Sequence, residues 1–111
     1  MYNCLRQYTL SNYVTIAKIQ DLKPGTTKSF PVQGKPIAIY NCQGKFYATS
    51  NICQHEGGFL DEGELTGYII TCPLHGWEYN VENGECLTAP GADLRTYPLH
   101  IMGDEIQIRV D

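Results

Sequence analysis

Cys53-Gln54-His55 and Cys72-Pro73-Leu74-His75 each place a cysteine and a histidine within four residues. Sixteen residues separate the two segments, which hold two of the chain's three histidines. A thiolate and an imidazole together are ligands for zinc or iron. Two such segments must be brought together on rigid supports, and that requirement constrains everything else the chain can be.

The flanking sequence supplies strands rather than helices. Tyr13-Val14-Thr15-Ile16 alternates as a half-buried strand does, with Val14 and Ile16 on one face. Leu22-Lys23-Pro24-Gly25 is a turn, and a strand over Thr27 to Val32 runs into Gln33-Gly34. Lys35 to Asn41, with Ile37-Ala38-Ile39-Tyr40, is short, β-branched and apolar, as a central strand is. Asn41-Cys42-Gln43-Gly44 then turns the chain into Lys45 to Ser50, so that everything up to Ser50 reads as one antiparallel meander. Tyr68 to Thr71 and Trp77 to Val81 read as strands on either side of the second segment, and Glu82-Asn83-Gly84-Glu85 as a turn. Leu94 to Ile101 pairs with Glu105 to Val110 across Gly103-Asp104. Residues 1–12 show no period, and Asp61 to Leu65 can make at most one helical turn. The expected class is all-β, one domain over residues 1–111, with the ligand loops inserted between strands of one β core.

Charge is unevenly laid out. Residues 46–94 contain eight acids and neither Lys nor Arg, a charge of −8, whereas the rest of the chain carries +4, giving −4 in all. That balance is unsuited to nucleic acid, and the acidic run is either a solvated surface or a steering field for a basic partner. The first twelve residues lack the pattern of a secretory signal, and no apolar stretch is long enough to span a bilayer, so a cytoplasmic protein without a membrane partner is expected. Five cysteines are an odd number. Beyond Cys53 and Cys72, Cys4 and Cys42 read as exposed thiols and Cys86 as a small core residue, a usage that suits a reducing compartment. His100 reads as an ordinary strand residue, Trp77 as packing beside His75, and Glu56 as solvated.

The mixed ligand order carries further information. Many Cys2His2 zinc sites take both cysteines from one segment and both histidines from another, whereas each segment here offers one of each. A binuclear centre explains this, with each loop giving its cysteine to one iron and its histidine to the other; a zinc-stabilised interaction domain is the mononuclear alternative. The paired motif Cys53-x-His55 and Cys72-Pro73-x-His75-Gly76 resembles the signature of the Rieske [2Fe-2S] family. Gly57-Gly58-x-Leu60, Gly63-x-Leu65-x-Gly67, Trp77-x-Tyr79-x-Val81-x-x-Gly84, Ala89-Pro90 and Tyr97-Pro98 extend the likeness to the family's small ferredoxins over most of the chain after residue 13.

The resemblance implies three antiparallel sheets, with a cluster-binding subdomain at about residues 51–80 set into a larger base, and Ala89-Pro90-Gly91 as a loop shielding the cluster. It implies one [2Fe-2S] cluster held by Cys53, His55, Cys72 and His75, with the electron on the histidine-bound iron. No catalytic residue is implied. The expected function is one-electron transfer from a flavin-containing ferredoxin reductase to a terminal oxygenase such as an aromatic ring-hydroxylating dioxygenase, by a monomer; a small subunit of a nitrite reductase-type enzyme is the alternative. The respiratory members' disulfide and serine positions are occupied here by Gly58, Leu74 and Trp77, which, with the acidic surroundings, points to a potential of about −150 mV. Tyr79 stands where the family places a tyrosine that donates to a ligand sulfur, and pulls the potential upward.

Overall fold

The computed structural model describes residues 13–54 and 57–110. Strands β1 (Tyr13–Lys18), β2 (Thr27–Val32), β3 (Lys35–Cys42), β4 (Lys45–Ser50), β5 (Glu64–Thr66), β6 (Ile69–Thr71), β7 (Glu78–Asn80), β8 (Leu99–Met102) and β9 (Glu105–Arg109) form three antiparallel sheets. Their orders are β1-β9-β8, β2-β3-β4 and β5-β6-β7. The helical content among the described residues is two single 3₁₀ turns, Ile19–Asp21 and Leu60–Glu62. The expected class and the three-sheet architecture are both present.

Strand β3 explains the arrangement. Its residues alternate between two cores: Ile37 and Ile39 join Leu22, Val32, Ala48, Ile106 and Ile108, while Ala38, Tyr40 and Cys42 join Leu60, Ile70, Tyr79 and the thiols of Cys53 and Cys72. From Ile37 onward neither face meets water, so Ile37 to Tyr40 is a continuous apolar run rather than an alternating one. The one amide in its buried stretch is fully used: Asn41 Nδ2 donates to the Leu22 carbonyl at 2.7 Å and Oδ1 accepts from the Gly44 amide at 2.8 Å. Tyr40 donates to Thr49 Oγ1 at 2.9 Å, because the Thr49 hydroxyl spends its own proton on the Ser50 carbonyl.

The hairpins on either side of β3 are two-residue turns with both central residues at positive φ, Gln33 and Gly34 (53° and 79°) and Gln43 and Gly44 (55° and 93°). That is the primed turn whose twist matches the flanking strands.

Several expectations are corrected. β1 does not belong to the meander; it pairs with β9, some ninety positions away, and of the strands up to Ser50 β2-β3-β4 alone form the meander. Val14 and Ile16 do face the core, but an irregularity between Thr15 and Ala17 turns Ala17 inward as well. The helical turn expected within Asp61 to Leu65 is present one residue earlier, as the 3₁₀ turn Leu60–Glu62, with Glu64–Thr66 following as a strand, and the last hairpin starts at Leu99 instead of Leu94. Pro98, with no N–H to donate, precedes that start. The irregular start expected for residues 1–12, and Cys4 within it, lie outside the described residues.

Cys42 is also corrected: it ends β3 inside the core at 2% exposure rather than in an open turn. Burial, with Glu82 as a lesser contributor, pushes its thiol up to about 11 from the usual 9. In the unfolded chain the thiol ionises first, so its contribution to stability is complete below pH 9 and is lost as pH rises through about 11. Urea unfolding across this window is expected to show a decline in stability that Cys42→Ala reduces; an equal decline in that variant would contradict the assignment.

Candidate metal centre

The two ligand segments are the tips of two hairpins built to one plan. In the first, Ile52 bridges Phe59, the Cys53 amide donates to the Gly58 carbonyl at 2.7 Å, and the Gly57 amide donates to the Cys53 carbonyl at 3.1 Å. In the second, Thr71 pairs with Glu78, the Cys72 amide donates to the Trp77 carbonyl at 2.8 Å, and the Gly76 amide donates to the Cys72 carbonyl at 3.0 Å. Every offset from the cysteine is the same. Gly57 and Gly76 take the same left-handed backbone, φ 74° and 78°, which is why glycine stands at both. The histidines break the match: His55 is two residues beyond its cysteine and His75 three.

Both tips are anchored. The second leaves β6 and returns as β7, so its sheet holds it directly. The first follows β4 and is fixed by Asn51, whose Oδ1 accepts from the Asp61 amide and whose Nδ2 donates to Asp61 Oδ1, both at 2.9 Å. Asp61 Oδ2 in turn accepts from Ser29 Oγ of β2 at 3.0 Å.

Within this frame Cys53 and Cys72 are 2% and 1% exposed, with their thiols in contact. Tyr79 is wholly buried behind them, its Oη 3.2 Å from Cys53 Sγ and 3.0 Å from the Gln54 amide nitrogen. Because Gln54 N–H already donates to that oxygen, the tyrosine proton is free to point at sulfur. Burial first, and the neighbouring sulfur second, raise the Tyr79 hydroxyl well above the ordinary phenol, so it stays a donor. Burial likewise raises the Cys72 thiol, while the backbone N–H groups of Leu74 and His75, directed at its sulfur, oppose the shift. These donors favour a sulfur that carries negative charge.

His75 lies on the surface beside half-exposed Leu74, whereas His55 and Glu56 fall outside the described residues. Among the described residues no three Cys, His, Asp or Glu side chains converge as a single-ion site requires. The donor set fits a binuclear group: two adjacent buried thiols receiving hydrogen bonds, and an imidazole displaced from them toward solvent. Gly58 shapes the same cradle. A Cβ there would meet Leu74 Cγ at 2.9 Å and Cys72 Sγ at 3.0 Å, so the Leu74 side chain lies directly over the Gly58 backbone and ties one tip to the other.

Of the residues singled out from the sequence, the structure brings Cys53, Cys72 and Tyr79 together and places His75 on the surface. Sequence reasoning missed the Leu74 contact, the sulfur-directed amides and the bonds made by Gln54, because each depends on how two distant loops meet. It did anticipate Cys86 as a small core residue and Trp77 as partly buried packing.

The Rieske [2Fe-2S] domain model matches residues 12–98. The ferredoxin component of the naphthalene 1,2-dioxygenase/salicylate 5-hydroxylase systems of a Ralstonia species is 34% identical over 101 residues, which are 90% of this chain and 97% of that protein. The ferredoxin of carbazole 1,9a-dioxygenase from Nocardioides aromaticivorans superposes with a TM-score of 0.83 at 31% identity, covering 90% of this chain and 99% of that one. A ferredoxin in the complex of reduced oxygenase and oxidized ferredoxin of carbazole 1,9a-dioxygenase gives 0.82 at 30% identity, covering 88% and 93%.

Two expected outcomes test the cradle. Gly58→Ala accelerates loss of visible absorbance to an iron chelator, and the second change Leu74→Ala recovers part of the difference, since the new methyl strikes the leucine as well as Cys72 Sγ; no recovery at all in the double variant would remove the leucine contact from the account. Tyr79→Phe lowers the midpoint potential by roughly 40 mV, the equivalent of about 1 kcal/mol for one electron. An unchanged potential in a redox titration would show that the hydroxyl does not donate to sulfur.

Proposed function

The chain belongs to the Rieske [2Fe-2S] family, and from that premise we propose that it is the ferredoxin of an oxygenase system. It carries one electron at a time from a flavin-containing reductase to a terminal oxygenase, an aromatic ring-hydroxylating dioxygenase being the model case. It is an electron carrier, and the chemistry on substrate belongs to its partner. Cys53 and Cys72 hold one iron, and His55 and His75 the other. When bound, the cluster supplies a single reversible electron, at a potential set by the atoms around it.

The chain's own residues do the rest. Ile70, Tyr79, Leu60 and the buried thiols keep water from the inner half of the site. Tyr79 and the amides of Leu74 and His75 meet the charge on sulfur. His75, exposed at its hairpin tip, opens the short route outward. The observation that carries the reading is this division between thiols at 2% exposure or less and a histidine at the surface.

The cluster-binding subdomain in this reading is the pair of hairpins at about 51–80, with residues Cys86 and Leu94 of the following loop packed into the same core. A monomer in the cytoplasm is part of the proposal. The free, buried thiols of Cys42 and Cys86 support a reducing compartment, and among the described residues no helix is long and apolar enough to cross a membrane. Exposed Glu62, Glu64, Glu78, Glu82 and Glu85 supply a negative field for meeting a basic partner.

The purified protein is expected to contain iron and sulfide in equal amounts and to show a rhombic electron paramagnetic resonance signal after dithionite reduction. Stoichiometric zinc without that signal would overturn the reading. Gel filtration is expected to give a monomer that separates from its oxygenase; permanent co-elution would mark a fixed subunit of the nitrite reductase type. A midpoint above about +150 mV would rule out the low-potential placement.

A further inference from the structure

Residues 86–94 form a loop whose ends are closed on each other. The Leu94 amide donates to the Gly84 carbonyl at 2.8 Å, and the Cys86 amide donates to Asp93 Oδ1 at 2.9 Å. Inside the loop the Ala89 amide donates to Cys86 Sγ at 3.3 Å and the Ala92 amide to the Ala89 carbonyl at 3.2 Å. Ala89 and Ala92 pack on the core that contains Cys53 and Cys72. The loop is therefore a preformed cover over the thiol pair, and what fixes its distance from the first ligand hairpin decides how readily the site opens.

Among the described residues, the side chain of Gln54 makes that connection. Gln54, between Cys53 and His55, is held from below by its amide, which donates to Tyr79 Oη at 3.0 Å. Its side chain reaches the other way, and Nε2 donates to the Asp93 carbonyl at 3.2 Å. Asp93 thus joins two contacts through different atoms: its carboxylate closes the loop on itself, and its carbonyl receives the strap from the ligand hairpin. We propose that Gln54 and Asp93 are positioning residues that latch the 86–94 cover onto the first ligand hairpin and so slow loss of the cluster. The inference rests on the cluster-binding reading above.

Hydrogen exchange by mass spectrometry and the rate of bleaching by a ferrous-iron chelator test it on the loaded protein. Gln54→Ala removes the strap and is expected to raise both exchange at the amides of Ala89 and Ala92, whose partners lie within the loop, and the bleaching rate by about fivefold, the factor that one neutral hydrogen bond corresponds to. Gln54→Lys, which keeps an N–H donor of similar reach, restores near wild-type rates. Asp93→Ala opens the loop by a comparable factor, Asp93→Asn, which keeps an acceptor for Cys86, does not, and Gln54→Ala combined with Asp93→Ala is less than additive because the two act through one latch. Wild-type rates in Gln54→Ala, no rescue by Gln54→Lys, or strict additivity would each overturn the proposal. Absence of a cluster from the wild-type protein would instead overturn the cluster-binding reading, so the two failures are distinguishable.

Discussion

From Ile37 to Cys42 strand β3 has no solvent face, and the rest of the molecule depends on that. A strand buried on both sides couples whatever lies against each of them: Ile37 and Ile39 bind the base sheet, Ala38, Tyr40 and Cys42 the core beneath the thiols. Burying one such side chain contributes about 1.5–3 kcal/mol, so the strand's position is over-determined from two directions. β4 is paired to it over six register positions, from Ile37 opposite Ser50 to Cys42 opposite Lys45. The first ligand hairpin begins immediately after that ladder ends. Its cysteine is thus placed by the same contacts that stabilise the fold, and a carrier that must change charge without moving gains a rigid support.

On that support the chain uses one loop design twice. Identical hydrogen-bond offsets from Cys53 and Cys72 set each sulfur inward, at the root of a hairpin tip, while glycine at the fifth position lets the backbone turn back. The pairing of two equivalent tips is what brings two thiols together in a dry core. Two adjacent sulfurs there would repel as thiolates, and burial alone raises the Cys72 thiol; a bound cation is the partner that makes their ionised form favourable.

The signals that could be read from the sequence are those carried by local chemistry. The Cys and His spacing defines the loops, and Gln43-Gly44 and the apolar run through Ile39 define a central hairpin. Tyr79 was legible as a sulfur donor only through the likeness to the family, which places a tyrosine at that position after the second ligand segment. Pairings across long separations left no local trace: β1 alternates equally well beside β2 or β9, and its partner is decided by which edge is open once β8 and β9 have paired. Cys42 reads as a turn residue only if the turn takes four residues; it takes two, and the cysteine falls back into the strand. β5 is three residues long, too short for its period to be distinguished from a helical turn. His55 and Glu56 lie outside the described residues, so their roles rest on the motif.

Two influences on the site's electron affinity oppose each other, and their ranges decide what each controls. The carboxylates of Glu62, Glu64, Glu78, Glu82 and Glu85 stand in water. At about 10 Å such a charge costs an added electron roughly 0.4 kcal/mol in water, less once salt screens it. A buried hydrogen bond that strengthens as its sulfur gains charge, as the Tyr79 contact to Cys53 does, is worth about 1 kcal/mol to the added electron and hardly responds to salt. No single carboxylate rivals Tyr79, and only their sum lowers the potential appreciably. The same carboxylates act at shorter range on an approaching partner, whose own charges meet them at the surface, and salt screens that attraction too. In the proposed function the acidic half therefore acts chiefly on how fast a partner arrives, and the buried hydroxyl and the amides at sulfur on how strongly the electron is held.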